Sequence, residues 1–493
     1  MFRVWAGTLA DISGAMELLD WDRDTLMPPS AAETRGRQLG TLAALYHREL
    51  VRPEFGQVLA ALTSRPDVDA RTRREAKLLA HRRERAERVP ESLVREVSEA
   101  SSEALAVWIG ARDRGDWRAL RGPLSRVVGL KRREADAISD GHEPYDALLD
   151  QYEPGARGAE LAPSFAELTD QLGPLVAAGT ARSPEPLPDR HWPRPAQLQL
   201  AHDIAELIGF NFAEGRIGES AHPFSSSSGF GDVRFATRID ERNPISNVLS
   251  VLHEAGHAMY EQGFGAGFAR SPLRDAPSLG SHEAQARFWE NHVGGTLAFW
   301  QVIEPRMREL FPESMRGLGA RDFHAATATV RPSLIRVEAD EVTYNLHIVL
   351  RFELERALIA GDLEVADLPE AWNARIKELL GIVPSAPADG VMQDVHWPAG
   401  LFGYFPTYTL GNLYAAQLAA AVDSELGGLE AAIAHGSFDR ILRFMRDRVH
   451  RHGAMYPTAE LMTRATGVPL SADMLIAHLE RRMTTPGAIA AAR

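Results

Sequence analysis

The feature that most constrains this chain is a five-residue motif near its middle, His253 to His257, with the pattern H-E-x-x-H. Residues four apart lie on one face of an α-helix, so both imidazoles can reach one metal ion at about 2.0–2.1 Å. Glu254 then lies beside the ion, where a general base for a water molecule is needed. The motif therefore predicts a zinc site, although a buried histidine pair with satisfied hydrogen bonds would show the same spacing.

The residues around the motif favour a helix. Asn243 followed by Pro244 is a good N-cap and first-turn pair. The run from Ile245 to Gln262 has apolar residues at helical spacing, and Gly263 and Gly265 offer an end. This context places both histidines on a regular helix.

A zinc site of this type needs a third ligand. Metzincins supply a histidine six residues after the second one, but position 263 is glycine, so that class is excluded. A carboxylate from a later helix is the alternative. The next helix is predicted from Ser281 to about Glu304, and Glu283 and Glu290 lie on one side of it. Spacing alone does not choose between these two glutamates.

Composition excludes several functional classes. The chain has 493 residues and a net charge of -13, which argues against broad nucleic-acid binding. It has no cysteine, which removes disulfides, cysteine nucleophiles and thiolate metal sites. No signal peptide or membrane-spanning stretch is expected, so we predict a cytoplasmic protein without a membrane partner.

Most of the chain has helical periodicity. The exception is the region before the motif, where Val233, Phe235 and Thr237 alternate with their neighbours, which predicts a short strand or hairpin. The segment 183–196 is rich in proline and is a candidate lobe boundary. We therefore expect a mainly α fold with a small β-sheet beside the metal helix.

Five further motifs occur in order with the zinc signature along nearly the whole chain. They are H-P-F at His222–Phe224, the start of D-x-R-x-T at Asp232–Arg234, H-E-x-Q at His282–Gln285, I-R-x-x-A-D at Ile335–Asp340 and G-x-x-Q-D-x-H-W at Gly390–Trp397. In these six motifs the chain resembles the carboxypeptidase Taq family of zinc carboxypeptidases.

The resemblance implies an architecture as well as an activity. We expect one catalytic domain over residues 1–493, with two helical lobes around a deep active-site cleft, and a homodimer. The expected reaction is hydrolysis of the C-terminal peptide bond of peptides, with release of single amino acids. The resemblance also selects Glu283 as the ligand that joins His253 and His257.

The expected catalytic roles follow from this chemistry. Zinc activates a water molecule and polarises the scissile carbonyl, and Glu254 acts as the general base. His396 and Tyr408 are candidates for stabilising the oxyanion. Cobalt could replace zinc, because two histidines and a glutamate do not discriminate strongly between these ions.

An exopeptidase also needs a partner for the free carboxylate of its substrate, and the arginine fork suits that role. Arg336 and Arg234 lie in two of the motifs and are the candidates, with His222 as a further substrate contact. Ala236 stands where the family has threonine, and Ala284 where it usually has serine or glycine. These departures bear on substrate preference and on a supporting hydrogen bond.

Two alternatives remain open from the sequence. One is a zinc oligopeptidase or a dipeptidyl carboxypeptidase of related helical fold. The other is a helical binding protein whose metal site is structural or vestigial, which a fourth protein ligand would indicate.

Overall fold

A computed structural model describes residues 1–181 and 186–484. Over these residues the fold is mainly helical with one small sheet, which confirms the predicted class. None of the helices in these ranges is long and apolar enough to cross a membrane. The start of the predicted boundary segment 183–196 falls within residues 182–185, which lie outside the described residues.

The described residues divide into two compact units. The first comprises Met1–Ala86, Pro186–Thr327 and Tyr414–Leu470. The second comprises the described residues of Glu87–Glu185, Ala328–Leu413 and Ser471–Arg493.

The first unit contains most of the helices and the sheet. Its helices are α1 (Phe2–Thr25), α2 (Ala32–Leu50), α3 (Pro53–Ser64), α4 (Ala70–Arg88), α9 (Arg194–Ile208), α10 (Pro244–Gly263), α11 (Leu279–Arg287), α12 (Leu297–Leu310), α13 (Ala320–Thr327), α17 (Leu429–Ala434), α18 (Phe438–Arg448) and α19 (Thr458–Thr466). Helix α4 continues two residues beyond this unit.

The second unit is helical with long loops. Its helices are α5 (Glu91–Arg114), α6 (Trp117–Ile138), α7 (Pro144–Leu149), α8 (Gly158–Thr180), α14 (Tyr344–Ala360), α15 (Leu368–Leu380) and α20 (Asp473–Thr484). Helix α16 (Pro406–Leu426) begins in this unit and ends in the first.

Helix α10 carries the H-E-x-x-H motif and forms as the sequence predicts. The Asn243 side chain accepts a hydrogen bond from the Ser246 amide, Pro244 occupies the first turn, and the helix ends at Gly263. One face of α10 is fully buried, with Val251 and Leu252 among its apolar residues. This burial anchors the helix in the core and fixes where the motif points.

The predicted hairpin is present beside α10, and a third strand extends it. The strands are β1 (Gly215–Glu219), β2 (Phe224–Gly229) and β3 (Asp232–Thr237), in the order β1-β3-β2. Strand β3 pairs antiparallel with β2 and parallel with β1. Thr237 at the end of β3 donates a 2.8 Å hydrogen bond to Asn247 of α10, which ties the sheet to the metal helix.

The single helix expected from Ser281 to about Glu304 is wrong. The structure instead has α11, a π-helical segment at Phe288–Val293, and then α12. Two consecutive glycines, Gly294 and Gly295, form a turn that interrupts the helix. Thr296 then caps α12, because its side chain accepts a hydrogen bond from the Phe299 amide. The wider π turn holds Glu290, and π turns are frequent at functional sites.

Candidate active site

The two motif histidines and Glu283 converge in the first unit. Nε2 of His253 lies 3.8 Å from Oε2 of Glu283, and Nε2 of His257 lies 3.5 Å from the same oxygen. One ligand atom from each residue lies within 4.8 Å of the others. Helix α10 supplies both imidazoles from successive turns, and α11 supplies the carboxylate.

This donor set fits a tetrahedral divalent ion. Ligand atoms bound at about 2.0–2.1 Å in tetrahedral geometry are separated by roughly 3.3–3.5 Å, close to the two nitrogen–oxygen distances. Among the described residues, the group of metal-ligating side chains at this point has three members. Three protein ligands leave a coordination position open, as a catalytic site requires and a closed structural site does not.

Glu290 contacts the other ring nitrogen of the candidate ligand His253. Its Oε2 accepts from Nδ1 of His253 at 2.7 Å, which leaves Nε2 to face Glu283. Arg287 links the two carboxylates, donating to Glu283 at 2.6 Å and to Glu290 at 3.1 Å. The two glutamates thus differ in position: Glu283 lies nearest Nε2 of His253, and Glu290 lies nearest Nδ1.

The second candidate ligand, His257, has a different neighbour. Nδ1 of His257 lies 2.6 Å from Nδ1 of His282, whose Nε2 lies 3.2 Å from Glu261. Burial and the neighbouring His282 lower the pKa of His257 to about 3. Burial also acts on His253, but Glu283 and Glu290 outweigh it and raise the pKa of His253 to about 9. In the absence of a metal ion, the pKa values of His253 and His257 are therefore shifted in opposite directions.

Glu254, the candidate base, is enclosed beside these ligands, with 6% of its surface exposed. Burial raises the pKa of Glu254 to about 7, and the neighbouring His253 opposes that rise. Burial raises the pKa of Glu283 too, but Arg287 and His253 outweigh it and hold that pKa well below its usual range. The two carboxylates thus differ in basicity, as a proton acceptor and a ligand should.

The second unit holds the candidate carboxylate-binding residue Arg336. Its Nε and Nη2 donate to Oδ1 of Asp394 at 3.0 and 2.9 Å, and its Nη1 donates to the Tyr344 hydroxyl at 3.0 Å. Arg351 donates to the other oxygen of Asp394 at 2.7 Å. Asp394 thus links the I-R-x-x-A-D and G-x-x-Q-D-x-H-W motifs. Nη1 and Nη2 of Arg336 each carry two N–H groups, and each nitrogen uses one of them in these hydrogen bonds.

His396 and Tyr408 lie together in the second unit. Nε2 of His396 lies 3.3 Å from the Tyr408 hydroxyl, and the His396 side chain is buried. Burial lowers the pKa of His396 to about 4, which keeps the imidazole neutral near pH 7. The Arg336 guanidinium lies 5.2 Å from the Tyr408 ring centre, so all three predicted residues form one group.

Arg234 and His222 belong to the sheet region of the first unit. Arg234 directs its fork to Asp232 of the same motif, at 2.6 and 2.8 Å, and lies over the Trp21 ring. His222 is exposed between β1 and β2, and its carbonyl accepts from the Ser220 hydroxyl. Their described contacts are thus with the sheet and α1 rather than with the three candidate ligands.

The two departures from the family motifs are both fully buried. Ala236 on β3 has no exposed surface, and the next residue, Thr237, makes the hydrogen bond to α10. Ala284 on α11 is likewise enclosed. Neither position holds a candidate ligand or the candidate base.

The comparison with known families decides the assignment. The model of the carboxypeptidase Taq (M32) metallopeptidases matches residues 3–483. The chain belongs to this family. As a member of the carboxypeptidase Taq family it is a metallocarboxypeptidase, a hydrolase of peptide bonds that requires a divalent metal ion. This confirms the resemblance and sets aside a helical binding protein with a vestigial site.

Known carboxypeptidases are similar to this chain over nearly its full length. Thermostable carboxypeptidase 1 of Thermus thermophilus is 44% identical over 486 residues, with 94% of each chain covered. Carboxypeptidase 1 of Bacillus subtilis is 33% identical, with coverage of 96% of this chain and 95% of that one. The crystal structure of the M32 carboxypeptidase from Deinococcus radiodurans has a TM-score of 0.95 at 37% identity, with 98% of both chains covered.

Sequence reasoning missed several residues that hold the predicted ones in place. His282 and Arg287 contact the candidate ligands, Glu261 contacts His282, and Asp394 with Arg351 anchors Arg336. One signal was available: Glu261 continues the four-residue spacing of His253 and His257 on the same helix face. Arg287 has the same relation to Glu283.

Proposed function

We propose that this member of the carboxypeptidase Taq family is a zinc-dependent carboxypeptidase that releases single amino acids from peptide C-termini, with His253, His257 and Glu283 as ligands. The observation that carries the proposal is the convergence of two Nε2 atoms on one Glu283 oxygen, with Glu254 enclosed beside them. An open three-ligand site with an adjacent carboxylate suits hydrolysis.

Bound zinc would supply Lewis-acid polarisation of the scissile carbonyl and lower the pKa of a water molecule. Glu254 takes the proton of the attacking water and delivers it to the leaving amine, so that peptide and water give an acid and an amine. His396 and Tyr408 donate hydrogen bonds to the negative oxygen that develops at the carbonyl carbon.

Recognition of the substrate's free carboxylate falls to Arg336 in this proposal. Its guanidinium is fixed by Asp394 and Tyr344 before the substrate arrives, so little side-chain entropy is lost on binding. Arg234 is the second proposed carboxylate contact, and His222 a further substrate contact.

The test is a pair of peptides that differ only at the C-terminus, one with a free carboxylate and one amidated. We expect the free peptide to lose one residue per cut and the amidated peptide to be left intact. Equal cleavage of both would contradict the carboxypeptidase mechanism. Release of dipeptides, or internal cleavage, would instead favour a dipeptidyl carboxypeptidase or an oligopeptidase.

The metal, the assembly and the compartment complete the proposal. Chelation should abolish hydrolysis, and added Zn²⁺, or Co²⁺ as a substitute, should restore it. We propose a homodimer on the family resemblance. We propose a cytoplasmic location because the sequence has no cysteine, which fits a reducing compartment. Light scattering coupled to size exclusion would contradict the dimer if the eluting species had the mass of one chain.

A further inference from the structure

His282 lies between a candidate ligand and an acidic side chain, His257 on one side and Glu261 on the other. We propose that His282 and Glu261 are positioning residues that hold His257 in the tautomer whose Nε2 can bind the ion. This inference deepens the proposed function and rests on it, because it takes His257 as a ligand.

The proton positions follow from the two distances. A histidine that binds a metal through Nε2 carries its proton on Nδ1, and that N–H needs an acceptor. The atom opposite, at 2.6 Å, is Nδ1 of His282. His282 can accept there only when its own proton is on Nε2. The reverse assignment would place two N–H groups against each other.

Glu261 fixes the direction of this chain of hydrogen bonds. A carboxylate oxygen accepts, so Nε2–H of His282, at 3.2 Å, is the donor. Arg274 holds Glu261 in place through an ion pair at 3.5 Å. Arg274 also donates to the Ser227 hydroxyl at 2.6 Å and to the Gly229 carbonyl at 2.8 Å, so the chain ends on the β2–β3 hairpin.

The two ligands are therefore supported in different ways. Nδ1–H of His253 meets a carboxylate directly, whereas that of His257 meets Nδ1 of the His282 ring, which contacts Glu261 through Nε2. A direct carboxylate partner is the common arrangement for a metal-binding histidine. The interposed ring makes His282 a distinct determinant of metal affinity.

His282 also contributes packing, which an experiment must separate from its hydrogen bond. Its ring stacks on His257 with centres 4.6 Å apart and lies 5.4 Å from the Tyr260 ring. His282 and Glu261 line a cavity of about 500 Å³ in the first unit. Truncation to alanine would let water from that cavity accept the His257 proton, so alanine is a poor test.

Two substitutions separate the effects. His282→Phe keeps a ring but removes the acceptor, whereas His282→Asn removes the ring but keeps an oxygen near the position of Nδ1. The metal-free proteins are titrated with Co²⁺, followed by its visible absorption, and with Zn²⁺ in competition with a chelator. We expect the phenylalanine variant to bind both ions ~10–100-fold more weakly. The asparagine variant should stay within a few-fold of the wild type.

Two results would overturn the inference. The phenylalanine variant could bind as tightly as the wild type, or both variants could lose affinity equally, which would assign the effect to packing. Glu261→Leu is a second test if the phenylalanine variant fails to fold. It should also weaken Co²⁺ binding, and an unchanged Co²⁺ affinity would contradict the positioning role of His282 and Glu261. Failure of the wild type itself to bind metal would contradict the proposed function rather than this inference.

Discussion

Gly256 lies directly against Gln285: a Cβ atom built at Gly256 would come within 2.8 Å of the Gln285 carbonyl oxygen and 2.8 Å of the Ala286 Cα. Both neighbours are backbone atoms, so they can yield only if α11 moves as a whole. The close approach of α10 and α11 at this point lets Glu283 reach the motif histidines. One of the two unspecified positions of H-E-x-x-H is thus restricted by packing.

Gly256→Ala should therefore weaken metal binding. The added methyl group displaces α11 and with it Glu283, and we expect a tenfold or larger rise in the Zn²⁺ dissociation constant, equivalent to at least about 1.4 kcal/mol. The matched control is Gly40→Ala on α2, where a Cβ meets nothing within 4 Å. That variant should bind zinc normally and gain up to about 1 kcal/mol of stability from helix propensity. Equal zinc affinity in both variants would contradict the prediction.

Glu254→Gln should retain the metal and lose turnover. The substitution keeps the size of the side chain but removes its capacity to take a proton, so kcat should fall by ~10²–10⁴. Metal content by elemental analysis is measured on the same preparation. Retained activity, or loss of metal together with activity, would argue against Glu254 as the general base.

Arg336→Lys should impair recognition of the free carboxylate. Loss of the planar fork should lower kcat/KM for a free peptide by about tenfold or more. The control is Arg351→Lys, because Arg351 binds the same Asp394 but is fully enclosed. That variant should lower the thermal midpoint and leave KM near the wild-type value. If both variants showed a similar rise in KM and a similar fall in kcat/KM, the loss of substrate recognition would be assigned to Asp394 and not to Arg336.

Glu355 gives the second unit a pH-dependent stability. Burial raises the pKa of Glu355 to about 7, against the donors Gly403, Trp397 and Tyr145, which favour the ionised form. The unfolded chain has the ordinary value of 4.5, so between these values the folded protein holds a proton that the unfolded chain does not. The stabilisation is therefore present below pH 4.5 and is lost as the pH rises to about 7.

The loss is on the order of 3 kcal/mol for a shift of this size. Urea unfolding at pH 5 and pH 8 should show that the wild type is more stable at the lower pH. Glu355→Gln carries no titrating proton and should reduce the difference between the two conditions. An unchanged difference would mean that other groups set the pH dependence.

The fold was predictable where local chemistry determines it. Asn243, Pro244 and Gly263 set the bounds of α10 by capping and backbone conformation, and alternation of Val233 and Phe235 predicted β3. Strand β1 was not predicted, because it is short and pairs in parallel with a strand that follows it in the sequence. The π-helical turn was missed because periodicity over a few residues does not distinguish it from an α-helix.

The sequence alone singles out the candidate ligands and the candidate base, and the fold brings the three candidate ligands together. The spacing of His253 and His257 predicts a metal helix, and the family resemblance selects Glu283 over Glu290. The fold adds that Glu283 lies nearest Nε2 of His253 and Glu290 nearest Nδ1. The supporting residues depend on contacts between elements, as Arg336 with Asp394 illustrates. No spacing rule relates residues so far apart in sequence.

The candidate ligands and their supports all lie in one continuous stretch of sequence, from His253 to Glu290. Three of the residues proposed to act on the peptide, Arg336, His396 and Tyr408, lie beyond it. Recombination with a related gene at any point between Glu290 and Arg336 would exchange these three proposed peptide contacts in one step and transmit the candidate ion-binding unit unchanged. Substrate preference in such a lineage can therefore diversify while metal dependence is inherited intact.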